Sequence, residues 1–187
     1  GLGGIALRAL AGPVRDAWLD LLRDLLPAAT PIRRLPLHVT DGRLLGGLDL
    51  AATLRAGRPI AERGLLVEAD GGVVVVAMAE RVAPTPAARL AATLDLGEVV
   101  LERDGLALRT AARFGVVARD EGAAEDERLP NALLDRLAIP LDLTGVATRE
   151  AIGSLYLAED VLVARAGLAD VRFGDAAASA SCAAALG

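Results

Sequence analysis

The stretch GVVVVAMAERV (72–82) places four consecutive valines between a glycine and a more polar segment. A short run of β-branched residues predicts a strand that is buried on both faces, as in a parallel sheet. In many α/β nucleotide-binding proteins, such a strand carries a carboxylate at its carboxyl end, beside a metal-bound nucleotide. Here Ala77, Met78 and Ala79 follow the valines. The stretch therefore predicts a central strand of this kind without the acid.

A strand, a short loop and a helix are predicted at the start of the chain. GGIALRAL (3–10) is a short β-prone run, and AGPVRDAWLDLLRDLLP (11–27) repeats apolar residues at helical spacing. Pro13 suits the first helical position, where its missing N–H costs nothing, and Pro27 ends the helix. Trp18 lies on the apolar face of this helix, which predicts a core position.

Two further helices are predicted on either side of the valine run. LLGGLDLAATLRAG (44–57) is interpreted as a short helix closed by Gly57. TPAARLAATLDLG (85–97) predicts a second helix, with Thr85 as its N-cap and Gly97 as its stop.

A β-hairpin is the clearest element of the second half. Apolar residues alternate on both sides of an Asp104-Gly105 pair: Val99, Leu101, Leu106 and Leu108. The hairpin is followed by a predicted strand over 113–119 and by an acidic loop over 120–128. LPNALLDRLAIPLDL (129–143) then predicts a short helix that runs into a last strand. Helices are expected around 149–156 and beyond 157. Strands that alternate with helices predict a parallel α/β sheet, here with a hairpin insertion.

Composition narrows the classes of function. The 187 residues are 53% hydrophobic and 2% aromatic, and the net charge is −5. Neither basic runs nor aromatic platforms are present, which argues against nucleic-acid binding and binding to a membrane surface. One cysteine, Cys182, excludes an internal disulfide and fits a reducing cytosol, and no apolar run is long enough for a membrane span. A cytoplasmic protein is expected.

For three other candidate sites, a surface or packing role is expected rather than catalysis or metal binding. His38 is the only histidine and has no ligand-type neighbours at suitable spacing, so a surface or turn position is expected. Cys182 lies among alanines and is interpreted as a small packing residue. The acidic residues of the 120–128 loop lack the spacing and the turn glycine of a calcium loop, so a solvated loop is expected and no metal site is predicted.

A degenerate phosphate loop is predicted between the first strand and the first helix. The motif G-x-x-x-x-G-K-[ST] uses glycines to aim backbone N–H groups at phosphate, a lysine to neutralise it and a hydroxyl to hold Mg²⁺. In ALAGPVRD (9–16), alanine and valine replace the two motif glycines, Arg15 replaces the lysine, and Asp16 replaces the hydroxyl. Gly12 and Arg15 are the candidate phosphate contacts, weak or lost, because the carboxylate of Asp16 would repel phosphate.

Four segments, taken in order, resemble the AAA+ domain of magnesium chelatases. They are LPLHVTDGRLLGGLDLAATLRAG (35–57), ERGLLVEADGG (62–72), VVLERDGLALRTAARFGVVA (99–118) and LPNALLDRLAIPLDL (129–143). With its altered phosphate loop and with Ala77 and Met78 in place of an Asp-Glu pair, the chain is similar to the degenerate domain of the family's D-type subunits. The resemblance implies an AAA+ core over 1–145 and the start of a helical lid over 146–187. Because the chain begins beside a strand and stops in an Ala-rich stretch, a fragment is expected, with the family's linker and integrin-like domain outside it.

The resemblance also implies a function. Family complexes insert Mg²⁺ into protoporphyrin IX at the expense of ATP, so ATP and Mg²⁺ are expected at the level of the complex and none held firmly by this chain. The implied partners are the family's I-type motor AAA+ ATPase and its large, H-type porphyrin-binding component, in a ring. Arg136 matches the family's arginine finger, which stabilises phosphoryl charge in the adjacent protomer. By this implication the chain itself does not hydrolyse ATP.

Alternatives remain open from the residues alone. Arg136 could instead cap its short helix or pair with Asp135 or another nearby acid. Arg15 could serve an active ATPase in place of lysine, and the domain could be a scaffold in another AAA+ assembly. No sensor asparagine is evident after the strand that ends at Arg119, where Asp120 and Glu121 stand instead, so this domain is not expected to sense its own γ-phosphate. The hairpin over 98–110 resembles the family's pre-sensor insertion.

Overall fold

The computed structural model describes residues 3–103, 106–124, 127–151 and 158–167. The strands within them are β1 (Gly4–Arg8), β2 (Ile32–Leu35), β3 (Gly46–Leu48), β4 (Ala61–Arg63), β5 (Val73–Val76), β6 (Glu98–Arg103), β7 (Leu106–Ala111), β8 (Gly115–Asp120) and β9 (Ile139–Asp142). Five of them form a parallel sheet in the order β2-β5-β8-β1-β9. The valines of β5 lie inside this sheet, which confirms the strand predicted there.

Helices cover both faces of the sheet. They are α1 (Pro13–Leu25), α2 (Asp41–Leu45), α3 (Leu50–Ala56), α4 (Leu65–Glu68), α5 (Pro84–Leu96), α6 (Asn131–Leu134) and α7 (Ala158–Gly167), with 3-10 turns over Ala79–Arg81 and Thr148–Glu150. Leu19 of α1 packs with Leu7 and Val117 on one face. Leu66, Leu90 and other buried residues of α2, α4, α5 and α6 pack on the opposite face. The predicted α/β architecture is therefore confirmed.

The hairpin insertion is present beside the sheet. Strands β6 and β7 pair antiparallel, from Glu98 opposite Ala111 to Arg103 opposite Leu106. The Asp104-Gly105 turn lies outside the described residues. A second antiparallel pair, β3 with β4, was not predicted.

Most predicted helix boundaries are confirmed. Pro13 is the first residue of α1. Gly97 ends α5 in the left-handed conformation, with φ of 68°, as glycine does most readily. Thr85 is not the N-cap of α5, because that helix begins one residue earlier at Pro84 and Ala83 occupies the cap position. Proline at the first helical turn replaces the side-chain cap here.

The segment 44–57 is not one helix. Leu44 and Leu45 end α2, a short strand follows, and only α3 is helical up to Gly57. The helical spacing of the leucines runs through Gly46, but this glycine has a φ of 98°, and its neighbours pair with β4. Nearer the carboxyl terminus, the helix predicted around 149–156 is described only as the 3-10 turn at its start. Cys182 lies outside the described residues.

Candidate functional site

The predicted phosphate loop lies at the carboxyl edge of the parallel sheet. Strands β1, β5 and β8 are neighbours and end at this edge, and the loop from β1 to α1 crosses it. Ligands of open α/β sheets bind in the crevice at this edge. Gly12 precedes α1 in an extended conformation, with open space where a Cβ would stand. The loop therefore has the position of a nucleotide site.

Arg15, which stands in the place of the motif lysine, is engaged by acids of the chain itself. Its Nε and Nη2 donate to Oδ1 of Asp16 at 3.0 and 2.8 Å. Its Nη1 lies 3.4 Å from Oε2 of Glu121, just beyond the end of β8. The arginine is thus held between two carboxylates at the start of α1.

Glu121 connects this arginine to a second one. Arg119 of β8 donates from Nη2 to Oε1 of Glu121. The backbone N–H of Glu121 donates to Oε2 of Glu80 at 3.1 Å. We call Arg15, Glu80, Arg119 and Glu121 the charged cluster. Its members come from α1, from the turn after β5 and from the end of β8.

Glu80 was missed by sequence reasoning. The acid expected immediately after the valine strand is absent at Ala77 and Met78, yet a carboxylate slightly further along comes back to the same edge. Met78 takes the left-handed conformation, with φ of 47°, and the 3-10 turn that follows buries the Glu80 side chain. Oε1 of Glu80 lies 3.6 Å from Nε of Arg81, which also lies near Glu127. The signal in the sequence was an acid just past the Ala77-Met78 pair.

The residues of this site do not fit a nucleoside triphosphate with its Mg²⁺. The charged cluster and Asp16 together contain two guanidiniums, of Arg15 and Arg119, and three carboxylates, of Asp16, Glu80 and Glu121. Adding Arg81 and its second partner Glu127 leaves the carboxylates one in excess. A triphosphate brings several more negative charges, and like charges at close range repel strongly at a partly buried site. Asp16 replaces the hydroxyl that would hold Mg²⁺, and its Oδ1 already accepts two hydrogen bonds from Arg15.

Asp120 is not part of the acidic loop, contrary to the prediction. It is the last residue of β8 and is buried, with Oδ2 accepting from Nη1 of Arg8 at 2.9 Å. Its Oδ1 accepts from the backbone N–H of Gly122 at 3.0 Å, and Nη2 of Arg8 donates to the carbonyl oxygen of Gly122 at 3.1 Å. The acid is paired because a charged carboxylate is costly to bury alone. This ion pair joins the ends of β1 and β8.

Arg136 lies at the opposite, amino edge of the sheet. It follows α6 and precedes β9. Its Nε is 2.9 Å from both carboxylate oxygens of Asp95, and its Nη2 donates to Oδ2 at 2.7 Å. Its Nη1 donates to the carbonyl oxygen of Ala132 in α6 at 2.9 Å. Within the single chain, Arg136 therefore both caps its short helix and pairs with an acid, which is Asp95 rather than Asp135.

The pair with Asp95 affects both groups. The hydrogen bonds from Arg136 hold the pKa of the Asp95 carboxyl below its usual range, and the same bonds raise the pKa of Arg136. A cavity of about 690 Å³ opens beside the pair and is also lined by Gly3, Arg113 and Phe114. A third of the Arg136 side chain remains exposed. Arg136 is thus ordered and accessible, and its role toward a neighbouring chain stays a prediction.

The remaining candidates take no part in either of these two sites. His38 is exposed in a turn after β2, as predicted, and Trp18 packs against the α1 side of the sheet. Glu125 and Asp126 of the acidic loop lie outside the described residues. Across the ranges that the structure describes, no three acidic, histidine or cysteine side chains come together as a metal site, and no helix is long and apolar enough to cross a membrane.

Comparison with known proteins finds related sequences over nearly the whole chain. The chain is 43% identical over 171 residues to the magnesium-chelatase 60 kDa subunit of Cereibacter sphaeroides, covering 91% of this chain and 27% of that subunit. It is 32% identical to the 67 kDa subunit of Chlorobaculum parvum, covering 78% of this chain and 23% of the relative. The 38 kDa subunit of Cereibacter sphaeroides is 34% identical over 114 residues, 61% of this chain and 34% of that subunit. The chain thus spans about a quarter of the length of the first two relatives. No protein-family model matches it.

Solved structures with the same fold are also found. A cryo-EM-based structure of the complex between subunits BchI and BchD of magnesium chelatase matches with a TM-score of 0.61 and 24% identity, covering 94% of this chain and 60% of that one. NtrX from Brucella abortus matches with a TM-score of 0.59 and 16% identity, covering 80% of this chain and 35% of the other. These likenesses concern the fold, and they confirm the predicted AAA+ architecture.

Proposed function

Because this chain belongs to the magnesium-chelatase family, we propose that it is an AAA+ subunit of a magnesium chelatase that does not itself hydrolyse ATP. In this proposal the complex inserts Mg²⁺ into protoporphyrin IX, and the ATP is hydrolysed by a separate motor AAA+ subunit. Residues 1–145 serve as the AAA+ core, and 146–187 begin the lid. The metal ion is cargo of the complex.

The observation that carries the proposal is the charged cluster. Phosphoryl transfer in proteins of this kind needs a cation at the β- and γ-phosphates and ligands for Mg²⁺. Here Arg15 is engaged by Asp16 and Glu121, and a carboxylate stands where the Mg²⁺-binding hydroxyl belongs. Gly12 keeps the loop open, but backbone N–H groups alone do not offset the excess of carboxylates.

Arg136 is the residue that we propose acts on a neighbouring protomer. It lies at the edge of the sheet remote from the charged cluster, so it serves a different site from the one in its own chain. An arginine supplied in trans stabilises the charge that develops on a transferring phosphoryl group. Its ordered and partly exposed guanidinium supports this role.

The relatives support the choice of partner. The chain resembles both the 60 kDa and the 38 kDa chelatase subunits, and the solved complex joins two different chelatase subunits. We propose that the present chain pairs in the same way with an ATP-hydrolysing, I-type motor subunit, in a ring. The large, H-type porphyrin-binding component is the further partner that the reaction requires.

The test compares two arginines at opposite edges. ATP hydrolysis is measured for the chain alone, for the motor subunit alone and for their mixture, and porphyrin metalation is measured after the porphyrin-binding component is added. We expect no turnover by the chain alone. Arg136→Ala should impair ATP hydrolysis and metalation by the assembled complex. Arg15→Ala is the control, because it makes the same substitution at the opposite edge of the sheet, and it should leave ATP hydrolysis by the mixture nearly unchanged.

Three results would count against the proposal. Turnover by the isolated chain that Arg15→Ala abolishes would make it an active ATPase. Unchanged chelation by a correctly assembled Arg136→Ala complex would remove Arg136 from the mechanism. Failure of the chain to capture the motor subunit in a pull-down would favour a scaffold in another AAA+ assembly.

A further inference from the structure

We infer that the carboxylate of Glu121 takes the place of a phosphate group in the phosphate loop, so that the chain fills this site with its own anion. The inference rests on the proposed function, since it explains how an AAA+ fold without hydrolysis satisfies the cations of its former nucleotide site. It assigns a ligand-like role to a residue beyond the end of β8.

The geometry supports the inference first. A phosphate in this position would accept from the residue that replaces the motif lysine and from cationic groups at the carboxyl ends of the strands. Glu121 makes these same contacts: Oε2 lies 3.4 Å from Nη1 of Arg15, and Oε1 accepts from Nη2 of Arg119. Its two oxygens thus bridge two arginines from different elements.

Burial supports it second. The exposed fractions of the side chains are 13% for Arg15, 14% for Arg119 and 18% for Glu121. At this depth an arginine is costly without a counter-ion. Glu121 supplies the counter-ion to Arg119 and shares Arg15 with the more exposed Asp16.

The backbone fixes the carboxylate in place. The N–H of Glu121 donates to Oε2 of Glu80, whose side chain is 1% exposed. Asp120, the residue before it, is fixed by Arg8. The segment that carries Glu121 is therefore anchored independently of the Glu121 side chain, and a substitution there tests the anion itself.

The experiment measures binding of inorganic pyrophosphate to the 187-residue chain by calorimetry, without Mg²⁺. Glu121→Gln keeps the size of the side chain and removes its charge, which takes the carboxylate away from Arg119 and leaves Arg15 paired with Asp16 alone, so that both can contact an external anion. We expect wild type to show no saturable binding at millimolar pyrophosphate, and Glu121→Gln to bind at least about tenfold more tightly, the effect of one charge-assisted hydrogen bond. The double variant Glu121→Gln/Arg15→Ala should lose the gain.

Two further variants keep the test decisive. Glu98→Gln makes the same change of net charge on the hairpin, where Glu98 pairs with Arg109, and should bind like wild type. Glu121→Asp keeps the balancing charge and withdraws the carboxylate from the arginines, so a folded chain with an intermediate gain is expected even where Glu121→Gln does not fold.

The inference is overturned when wild type binds pyrophosphate as tightly as the Glu121 variants, or when the folded variants show no gain. These outcomes leave the proposed function standing, because that function depends on turnover and on Arg136. Conversely, tighter pyrophosphate binding by Glu121→Gln together with ATP turnover by the wild-type chain would contradict the proposed function and leave the role of Glu121 supported.

Discussion

Asp95 and Arg136 form a bidentate ion pair at the amino edge of the sheet, with Nε and Nη2 of the arginine at 2.9 and 2.7 Å from the carboxylate oxygens. The two residues are 41 positions apart and join the last turn of α5 to the segment before β9. A paired arginine of this kind has a defined direction, since planar forks bind carboxylates in one geometry.

The pair predicts a pH dependence of stability. The pKa of Asp95 is lowered in the folded chain by its hydrogen bonds to Arg136. Its contribution is therefore present above the unfolded pKa, about 3.9, and is lost as the pH falls through the lower folded value. Urea unfolding of wild type and Asp95→Asn between about pH 2.5 and 7 should show a stability difference at neutral pH that shrinks below about pH 4.

Asp24→Asn is the matched control for this experiment, because it removes a carboxyl from the exposed side of α1. The difference between this variant and wild type should change little with pH. A gap between wild type and Asp95→Asn that stays constant across the whole acidic range would contradict the ion pair.

The core on the face of the sheet opposite α1 should be sensitive to truncation at Leu90. This side chain on α5 is fully buried, so Leu90→Ala should lower the free energy of unfolding by about 2–5 kcal/mol, from lost apolar burial and the cavity left behind. Leu54 of α3 is 83% exposed, and Leu54→Ala should change the free energy of unfolding by less than about 0.5 kcal/mol. Chemical unfolding measures both. Equal losses would mean that α5 does not carry the core.

The ion pair between Arg8 and Asp120 should matter more than a surface pair. Asp120→Ala leaves Arg8 without this partner and removes the acceptor of the Gly122 N–H, at an expected cost of about 2–3 kcal/mol in unfolding free energy. Asp20→Ala breaks an exposed pair with Arg23 and should cost under about 1 kcal/mol. A neutral Asp120→Ala would show that solvent compensates Arg8.

Local signals predicted the fold well. Pro13, the valines of β5 and the alternating residues of the hairpin each determine the conformation of their own neighbourhood, and all lie where expected. Gly97 stops its helix because glycine adopts positive φ at little cost. The N-cap prediction at Thr85 failed because the helix begins at Pro84, and the single helix predicted over 44–57 failed because Gly46, with a positive φ, interrupts the helical spacing of the leucines.

The candidate site was less predictable because its contacts are distant in sequence. Glu80 and Glu121 are 41 residues apart, as are Asp95 and Arg136, and Arg8 and Asp120 are 112 apart. The local periodicity of the sequence does not indicate which acidic residue pairs with which arginine in the folded chain. The sequence showed that the phosphate loop had lost its lysine and hydroxyl, but only the sheet order showed that Glu121 faces the replacement arginine.

The last prediction concerns Asp95 as a positioning residue for Arg136. The contacts of Arg136 within the described residues use three of the five N–H donors of a guanidinium: Nε and one each on Nη1 and Nη2. Nη1 and Nη2 each carry a second N–H that these contacts do not use. Asp95 therefore orients Arg136 and leaves charged N–H donors for a phosphate oxyanion.

In the complex assembled with a motor subunit, we expect Arg136→Ala to lower kcat for ATP hydrolysis by about 10³-fold or more. Asp95→Ala should lower it by roughly three- to tenfold at unchanged KM, through loss of orientation, and Asp95→Glu should restore part of the loss. The double variant should be no worse than Arg136→Ala alone, since both changes act through one guanidinium. Additive losses in the double variant would mean that Asp95 does not act through Arg136. Full activity of Asp95→Ala, with Arg136→Ala still impaired, would show that Arg136 acts without being positioned by Asp95.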